Sequence, residues 1–138
     1  MAGYSPNPLW KKLGYHAGIA AHVVNAPPGY CAALALPADL PVAWLARAER
    51  GVGFVHAFVR TRAELAPLLA DLRGRIAPAG TIWISWPKRA SKVPTDVTED
   101  VVRDLALPLG LVDIKVCAVD ETWSGLKLVI RKTLRPAK

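Results

Sequence analysis

Short apolar segments alternate along this chain with amphipathic ones, and that alternation predicts strands separated by helices. Three segments are apolar, short and rich in β-branched or aromatic residues, as buried strands are. They are 19–26, 51–59 and 81–86. A weaker strand is predicted at 42–45. The last two strands, 112–119 and 126–131, are separated by a short polar turn and should pair antiparallel.

Two amphipathic helices are predicted between the later strands. Thr61 and Glu64 have the spacing of a capping box, and an apolar stripe at helical spacing follows: Leu65, Leu68, Leu69, Leu72 and Ile76. The next helix is expected to begin at Thr95 or Asp96, with Glu99 at the reciprocal position for Asp96. Shorter helical segments are predicted at 9–13 and 30–36.

Strands that alternate with helices predict a mostly parallel sheet with right-handed crossovers. The terminal hairpin is expected to add an antiparallel edge to that sheet. The fold class is therefore α/β, with three Rossmann-like layers, and the layout resembles a trimmed class I methyltransferase-like sheet with a C-terminal antiparallel strand. A single domain is expected over 1–138, with an irregular arm at 1–8 and a basic tail at 133–138.

Composition favours a folded, water-soluble protein. Of the 138 residues, 52% are apolar and 21% are charged, which disfavours disorder. No apolar run reaches the roughly 20 residues of a membrane span, and the N-terminus lacks a signal pattern. A cytoplasmic protein without a membrane partner is expected. Cys31 and Cys117 are interpreted as buried thiols, and the scattered histidines predict no metal site.

The net charge of +7 leaves an anionic partner open. The basic residues do not form one run, however. They occur at 11–12, at 88–92 and in the C-terminal tail. This distribution favours a solvated surface over a nucleic-acid site, so nucleic acid is the less favoured partner.

The candidate site follows from the predicted sheet, because open sheets bind ligands outside the carboxyl ends of their strands. Four chain segments are expected to meet at that rim. The candidate ligand-binding residues are Ser85, Trp86, Lys88, Ser91, Lys92, Thr95, Asp120, Thr122, Trp123 and Ser124. The basic residues of this set precede the predicted Asp96 helix, whose N-terminus would favour a phosphate or carboxylate. A solvated loop with an ordinary helix cap is the alternative.

Trp86 and Trp123 are predicted either to wall a pocket for a flat group or to serve as core anchors. No catalytic residue is predicted. Asp120 and Glu121 are adjacent and would point to opposite sides of a strand. Thr95 and Ser124 have no histidine nearby in sequence.

The turn after the first strand lacks the glycines with which a nucleotide-binding loop lets its backbone approach the ligand. It contains Pro27 and Pro28, which supply no amide donor, and Pro28, Gly29 and Tyr30 are expected to line it. The second strand ends without a clear acid for a ribose, and Glu49 is the nearest one. No cofactor is therefore expected, and S-adenosylmethionine is kept as an alternative.

Several motifs resemble the bacterial domain-of-unknown-function family numbered thirty fifty-two. They are Tyr4-Ser5, Pro8-Leu9 and 11–14 in the first half, and Trp86-Pro87-Lys88, Ser91, Pro94-Thr95-Asp96, 98–100, 107–113, 115–118, Asp120 and 122–126 in the second. The resemblance implies a small, soluble, stand-alone bacterial protein on a trimmed methyltransferase fold. It brings no activity and no catalytic residues to transfer.

The sequence thus predicts a non-catalytic binding or regulatory module on a degenerate methyltransferase-like fold. Its partner would be an anionic small molecule or a protein at the carboxyl edge of the sheet. A minimal S-adenosylmethionine-dependent methyltransferase is the alternative. Both a monomer and a homodimer stay open.

Overall fold

A six-stranded sheet runs through the described part of the chain, with strand order β2-β1-β3-β4-β6-β5. The structure is a computed structural model and describes residues 7–135. The predicted arm lies mostly outside these residues, as does the end of the predicted basic tail. The strands are β1 Ile19–Val24, β2 Val42–Trp44, β3 Val52–Phe58, β4 Ile76–Pro87, β5 Leu111–Ala118 and β6 Trp123–Ile130.

Helices cover both faces of the sheet. They are α1 Leu9–Leu13, α2 Tyr30–Leu34, α3 Arg62–Arg75 and α4 Glu99–Ala106, with short 3-10 turns at Arg89–Ser91, Leu107–Leu109 and Lys132–Leu134. Among residues 7–135, no helix is long and apolar enough to cross a bilayer. The pattern of strands and helices along the chain is the one that the hydrophobic periodicity predicts.

The last two strands confirm the antiparallel pairing. β6 pairs antiparallel with both β4 and β5, so it lies inside the sheet and β5 forms the edge. The reason is visible in the side chains. Leu126 and Leu128 of β6 are fully buried, whereas Ile114 and Val116 of β5 are 55% and 53% exposed. The terminal hairpin therefore forms the edge of the sheet as predicted, with β5 outermost and the last strand, β6, inside.

Alternate residues of each strand enter two separate cores, one on each side of the sheet. In β4, Ile82, Ile84 and Trp86 pack on the side covered by α3 and α4. Trp83 points to the opposite side, where α1 and α2 lie, and its indole Nε1 donates to the backbone oxygen of Leu13 at 2.7 Å. The two layers of helices give the predicted three-layer arrangement.

The capping box of α3 forms as predicted. The Thr61 hydroxyl accepts from the Glu64 amide at 3.1 Å, and Glu64 Oε1 accepts from the Thr61 amide at 3.2 Å. The end of this helix differs from the prediction, because Ile76, assigned to the helical stripe, begins β4, and the strand was predicted to begin only at 81.

The predicted cap of α4 is wrong. The helix begins at Glu99, and the Thr98 hydroxyl accepts from the Val101 amide at 3.2 Å. Asp96 Oδ1 instead accepts from the Arg62 amide at 2.7 Å, in the first turn of α3. That amide is one of the donors a helix leaves without an internal partner, and this explains why the carboxylate binds there.

The cysteines differ from each other. Cys117 is buried as predicted, but Cys31 is exposed. Cys31 lies in α2, which has only five residues and buries only Tyr30 and Leu34. The prediction of a buried thiol was wrong at this position, because so short a helix covers little of its own surface.

Candidate functional site

A cleft of about 490 Å³ opens at the carboxyl ends of β1 and β3. We call it the β1–β3 cleft. It is lined by residues 25–28 after β1, by Phe58, Arg60 and Glu64, and by Thr122 and Trp123 from the β5–β6 hairpin. The volume falls in the range of roughly 300–1,000 Å³ that is usual for small-molecule sites.

One wall of the cleft is aromatic and carries a cation. The rings of Phe58 and Trp123 meet edge to face, with centroids 5.0 Å apart and an interplanar angle of 87°. The Arg60 guanidinium carbon lies 6.0 Å from the centroid of the Trp123 ring. Trp123 is only 7% exposed, whereas Arg60 is exposed. The indole is therefore a fixed surface, and the guanidinium above it is accessible.

The tip of the β5–β6 hairpin fixes Trp123. Asp120 Oδ1 accepts from the Thr122 and Trp123 amides, both at 2.8 Å. The Thr122 carbonyl in turn accepts from the Lys88 amide at 2.7 Å. Asp120 thus closes the turn that positions Thr122 and Trp123 at the cleft.

Backbone and helix-cap contacts hold the opposite wall. Asn25 Nδ2 donates to the Phe58 carbonyl at 3.4 Å, which ties the turn after β1 to β3. Glu64 Oε1 accepts from the Arg60 amide at 3.1 Å as well as from Thr61. That Glu64 oxygen is therefore engaged in the capping of α3.

A chain of buried polar side chains lies behind the cleft. The Tyr15 and Tyr30 hydroxyls are 2.7 Å apart, Tyr30 Oη lies 2.8 Å from His56 Nδ1, and His56 Nε2 lies 2.7 Å from Ser85 Oγ. His56 and Ser85 are fully buried. The chain connects α2, β3 and β4, and so it anchors the turn after β1 to the middle of the sheet.

Burial lowers the pKa of His56 to about 3, so the imidazole is neutral near pH 7. Burial also raises the pKa of the Tyr15 and Tyr30 hydroxyls far above the ordinary value. The hydrogen-bonded series of buried side chains from Tyr15 to Ser85 is therefore uncharged. Sequence reasoning missed it, although a histidine in the middle of an apolar strand needs a polar partner and was the available signal.

The structure divides the predicted site residues between two faces. Trp123 packs in the core under α1 and α2, and Trp86 packs in the core under α3 and α4. They do not wall one pocket, because Trp123 is directly opposite Pro87 across the β4–β6 pair and Trp86 is opposite Ser124. Ser85 belongs to the buried chain and is absent from the rim.

A second cleft, of about 330 Å³, is lined by three of the predicted residues, Trp86, Lys92 and Thr95. It is lined by Trp86, Pro87, Arg89, Lys92, Val93, Pro94, Thr95, Val97 and Thr98. Ser91 is used locally, because its hydroxyl donates to the Lys88 carbonyl at 2.6 Å. The Thr95 hydroxyl donates to the Arg60 carbonyl at 2.6 Å. The predicted anion site required the basic residues at 88–92 to lie directly before the N-terminus of a helix. Because α4 begins only at Glu99, they do not.

The residues that would hold S-adenosylmethionine in the manner usual for nucleotide-binding sheets fit it poorly. Pro27 and Pro28 offer no amide at the turn, and Gly29, with φ 81°, caps α2. The Tyr30 hydroxyl is directed into the core, towards His56. Glu49, the acid nearest in sequence to the end of the second strand, lines a different cleft with Asp71 and Arg75.

Solved structures similar to this one are S-adenosylmethionine-dependent methyltransferases and related proteins. One from Aquifex aeolicus is 14% identical with a TM-score of 0.62, over 93% of this chain and 91% of that chain. The O-methyltransferase NcsB1 from neocarzinostatin biosynthesis, in complex with S-adenosylmethionine, is 12% identical with a TM-score of 0.60, over 94% and 51%. LepI in complex with S-adenosylmethionine is 14% identical with a TM-score of 0.54, over 93% and 49%.

These neighbours confirm the predicted class I methyltransferase-like fold. At this identity they establish the fold alone. The chain spans about half the length of LepI and of NcsB1. Because several neighbours hold S-adenosylmethionine, they do not support the expectation that no cofactor binds. No protein-family model and no curated protein matches the chain, so the resemblance to family thirty fifty-two stays a prediction.

Proposed function

We propose that the protein is a non-catalytic binding or regulatory module that takes an anionic small molecule in the β1–β3 cleft. One observation carries the proposal: the Arg60 guanidinium lies 6.0 Å from the Trp123 ring, at the wall of a cleft on the carboxyl edge of the sheet. A ligand that combines a flat group with a carboxylate matches both features, because arginine binds carboxylates through two parallel hydrogen bonds.

Arg60 is the lining residue of the cleft that favours an anion. The ion pairs within residues 7–135 use Arg75 and Arg103, so no carboxylate in this part of the chain neutralises Arg60. Glu64 also lines the cleft, but its Oε1 accepts from backbone amides in the capping box. An incoming carboxylate would therefore meet an available guanidinium.

The polar groups near the cleft favour binding over catalysis. A general base must reach the proton that it removes and must have a suitable pKa. His56 is fully buried and neutral, and Asp120 Oδ1 already accepts two amides. Neither residue lines the cleft.

The test is calorimetric titration with a panel of aromatic carboxylates, using wild type, Arg60→Gln and Arg62→Gln. Arg62 is exposed like Arg60 and lies two residues after it, so Arg62→Gln removes the same charge from a neighbouring position. We expect saturable binding that Arg60→Gln weakens about tenfold or more, as the loss of a charge-assisted pair should, and that Arg62→Gln leaves unchanged. Equal affinities for the two variants would refute the site.

A second candidate function is S-adenosylmethionine-dependent methyl transfer, which the ligands of the structural neighbours favour. The same calorimeter decides it, with S-adenosylmethionine and S-adenosylhomocysteine as titrants. Micromolar binding of either would place the methyltransferase function first, and Pro28→Gly should then tighten it by restoring an amide donor to the turn. No heat at millimolar ligand would remove this candidate.

A further inference from the structure

Three lysines gather where α1 meets the middle of the β5–β6 hairpin. Lys115 of β5 is directly opposite Lys127 of β6, and opposite residues of an antiparallel pair point to the same face. Lys12 of α1 lies over this face. We call Lys12, Lys115 and Lys127 the lysine seam.

Backbone contacts hold the seam in place. Lys115 Nζ donates to the Lys12 carbonyl at 3.1 Å, and Lys12 Nζ donates to the Ala118 carbonyl at 3.3 Å. Lys127 is half-buried, and its Nζ lies 3.9 Å from the point where a Cβ would sit at Gly14. An ordinary solvated lysine extends into water, whereas the Lys115 and Lys12 ammonium groups bind backbone carbonyls and that of Lys127 lies beside Gly14.

This arrangement is unfavourable in the protein alone. Like charges directly opposite each other on neighbouring strands are destabilising. Within residues 7–135, the ion pairs all use arginine, and none includes Lys115 or Lys127. Burial and the charge of Lys115 both lower the pKa of Lys127. The Lys115–Lys127 pair therefore breaks a local rule that no ion pair of the described residues offsets, and such breaks are characteristic of functional sites.

We propose that the lysine seam binds the phosphate groups of a polyanionic ligand. Several ammonium groups close together suit a ligand with several negative charges, and lysine binds phosphate as a point charge. The site is independent of the β1–β3 cleft, because Lys127 lies in the middle of β6 while Trp123 is its first residue. The phosphates would come from a small polyphosphate or from the backbone of a nucleic-acid strand.

The experiment uses inorganic triphosphate and a fluorescent single-stranded oligonucleotide as probes, each titrated at several salt concentrations. The seam variant is Lys115→Gln with Lys127→Gln. The control is Arg131→Gln with Lys132→Gln, which removes the same charge from two exposed positions. We expect the seam variant to weaken binding about tenfold or more and to lower the salt slope by about two, and the control to change affinity less than about twofold.

Binding of triphosphate alone identifies a small polyphosphate as the source, and binding of the oligonucleotide identifies a nucleic-acid strand. Failure of both probes, or equal weakening by the seam variant and the control, overturns the proposal. The melting temperature without ligand is a second readout. Removal of a like-charge pair should leave it unchanged or raise it, so a lower melting temperature in the seam variant contradicts the argument.

Discussion

Ser85→Ala is expected to destabilise the protein by breaking the buried polar chain. The substitution removes one hydroxyl from a fully buried position and leaves His56 Nε2, now 2.7 Å from Ser85 Oγ, without its partner. A buried polar group left unsatisfied costs about 1–3 kcal/mol. With an unfolding entropy of about 2.1 cal/mol/K per residue, 1 kcal/mol corresponds to about 3 °C in melting temperature for a chain of this length.

The assay is chemical denaturation, followed by tryptophan fluorescence and checked by thermal melting. The matched control is Ser124→Ala, a half-buried serine on β6 that is directly opposite Trp86. We expect the control to stay within about 0.5 kcal/mol of wild type, as surface-like substitutions usually do. A Ser85→Ala protein as stable as the control would refute the claim that the hydrogen-bonded side chains from Tyr15 to Ser85 anchor the turn after β1 to the sheet.

Three further predictions concern other parts of the fold. The folded-state pKa of His56, about 3, lies below its ordinary value of 6.5, so between these two pH values the unfolded protein binds more protons than the folded one. The free energy of unfolding should therefore be full above about pH 6.5 and fall towards pH 3. Chemical denaturation at several pH values across that range measures it. Asp120→Ala should cost about 1–2 kcal/mol and weaken ligand binding in the β1–β3 cleft, whereas Asp120→Asn, which keeps an acceptor, should restore most of both; equal loss in the two variants would count against the turn role. Asp96→Ala should cost about 1 kcal/mol in denaturant melts by uncapping α3, and an unchanged stability would show that this contact contributes nothing.

The hydrophobic pattern was sufficient to predict the fold class because the strands and helices differ in period. The capping box at Thr61 and the apolar runs of β3 and β4 are local signals; the cap and β3 form where predicted, and β4 contains the predicted run but begins earlier, at Ile76. The position of β6 inside the sheet was not predictable from the order of elements. It depends on whether β5 or β6 buries more apolar surface, which is a property of the assembled sheet.

The candidate site was predicted only in part. Thr122 and Trp123 do line the β1–β3 cleft, because strand ends determine where they lie. Trp86 lies on the other face of the sheet from Trp123. Whether two residues of neighbouring strands share a face depends on the register of the strands, and Trp86 is opposite Ser124, the neighbour of Trp123. Asp96 was taken for the cap of the next helix in sequence, yet it caps α3, a contact between segments far apart in the chain.

The most direct test of the account is to follow the indole N–H resonance of Trp123 by NMR during titration with small aromatic carboxylates and with S-adenosylmethionine. The chain has only five tryptophans, so single Trp→Phe variants can assign each resonance. The account predicts that a carboxylate shifts the Trp123 resonance saturably and that Arg60→Gln raises the concentration needed for that shift about tenfold or more. A stationary Trp123 resonance alongside a moving Trp86 resonance would contradict it and would place the binding site in the second cleft.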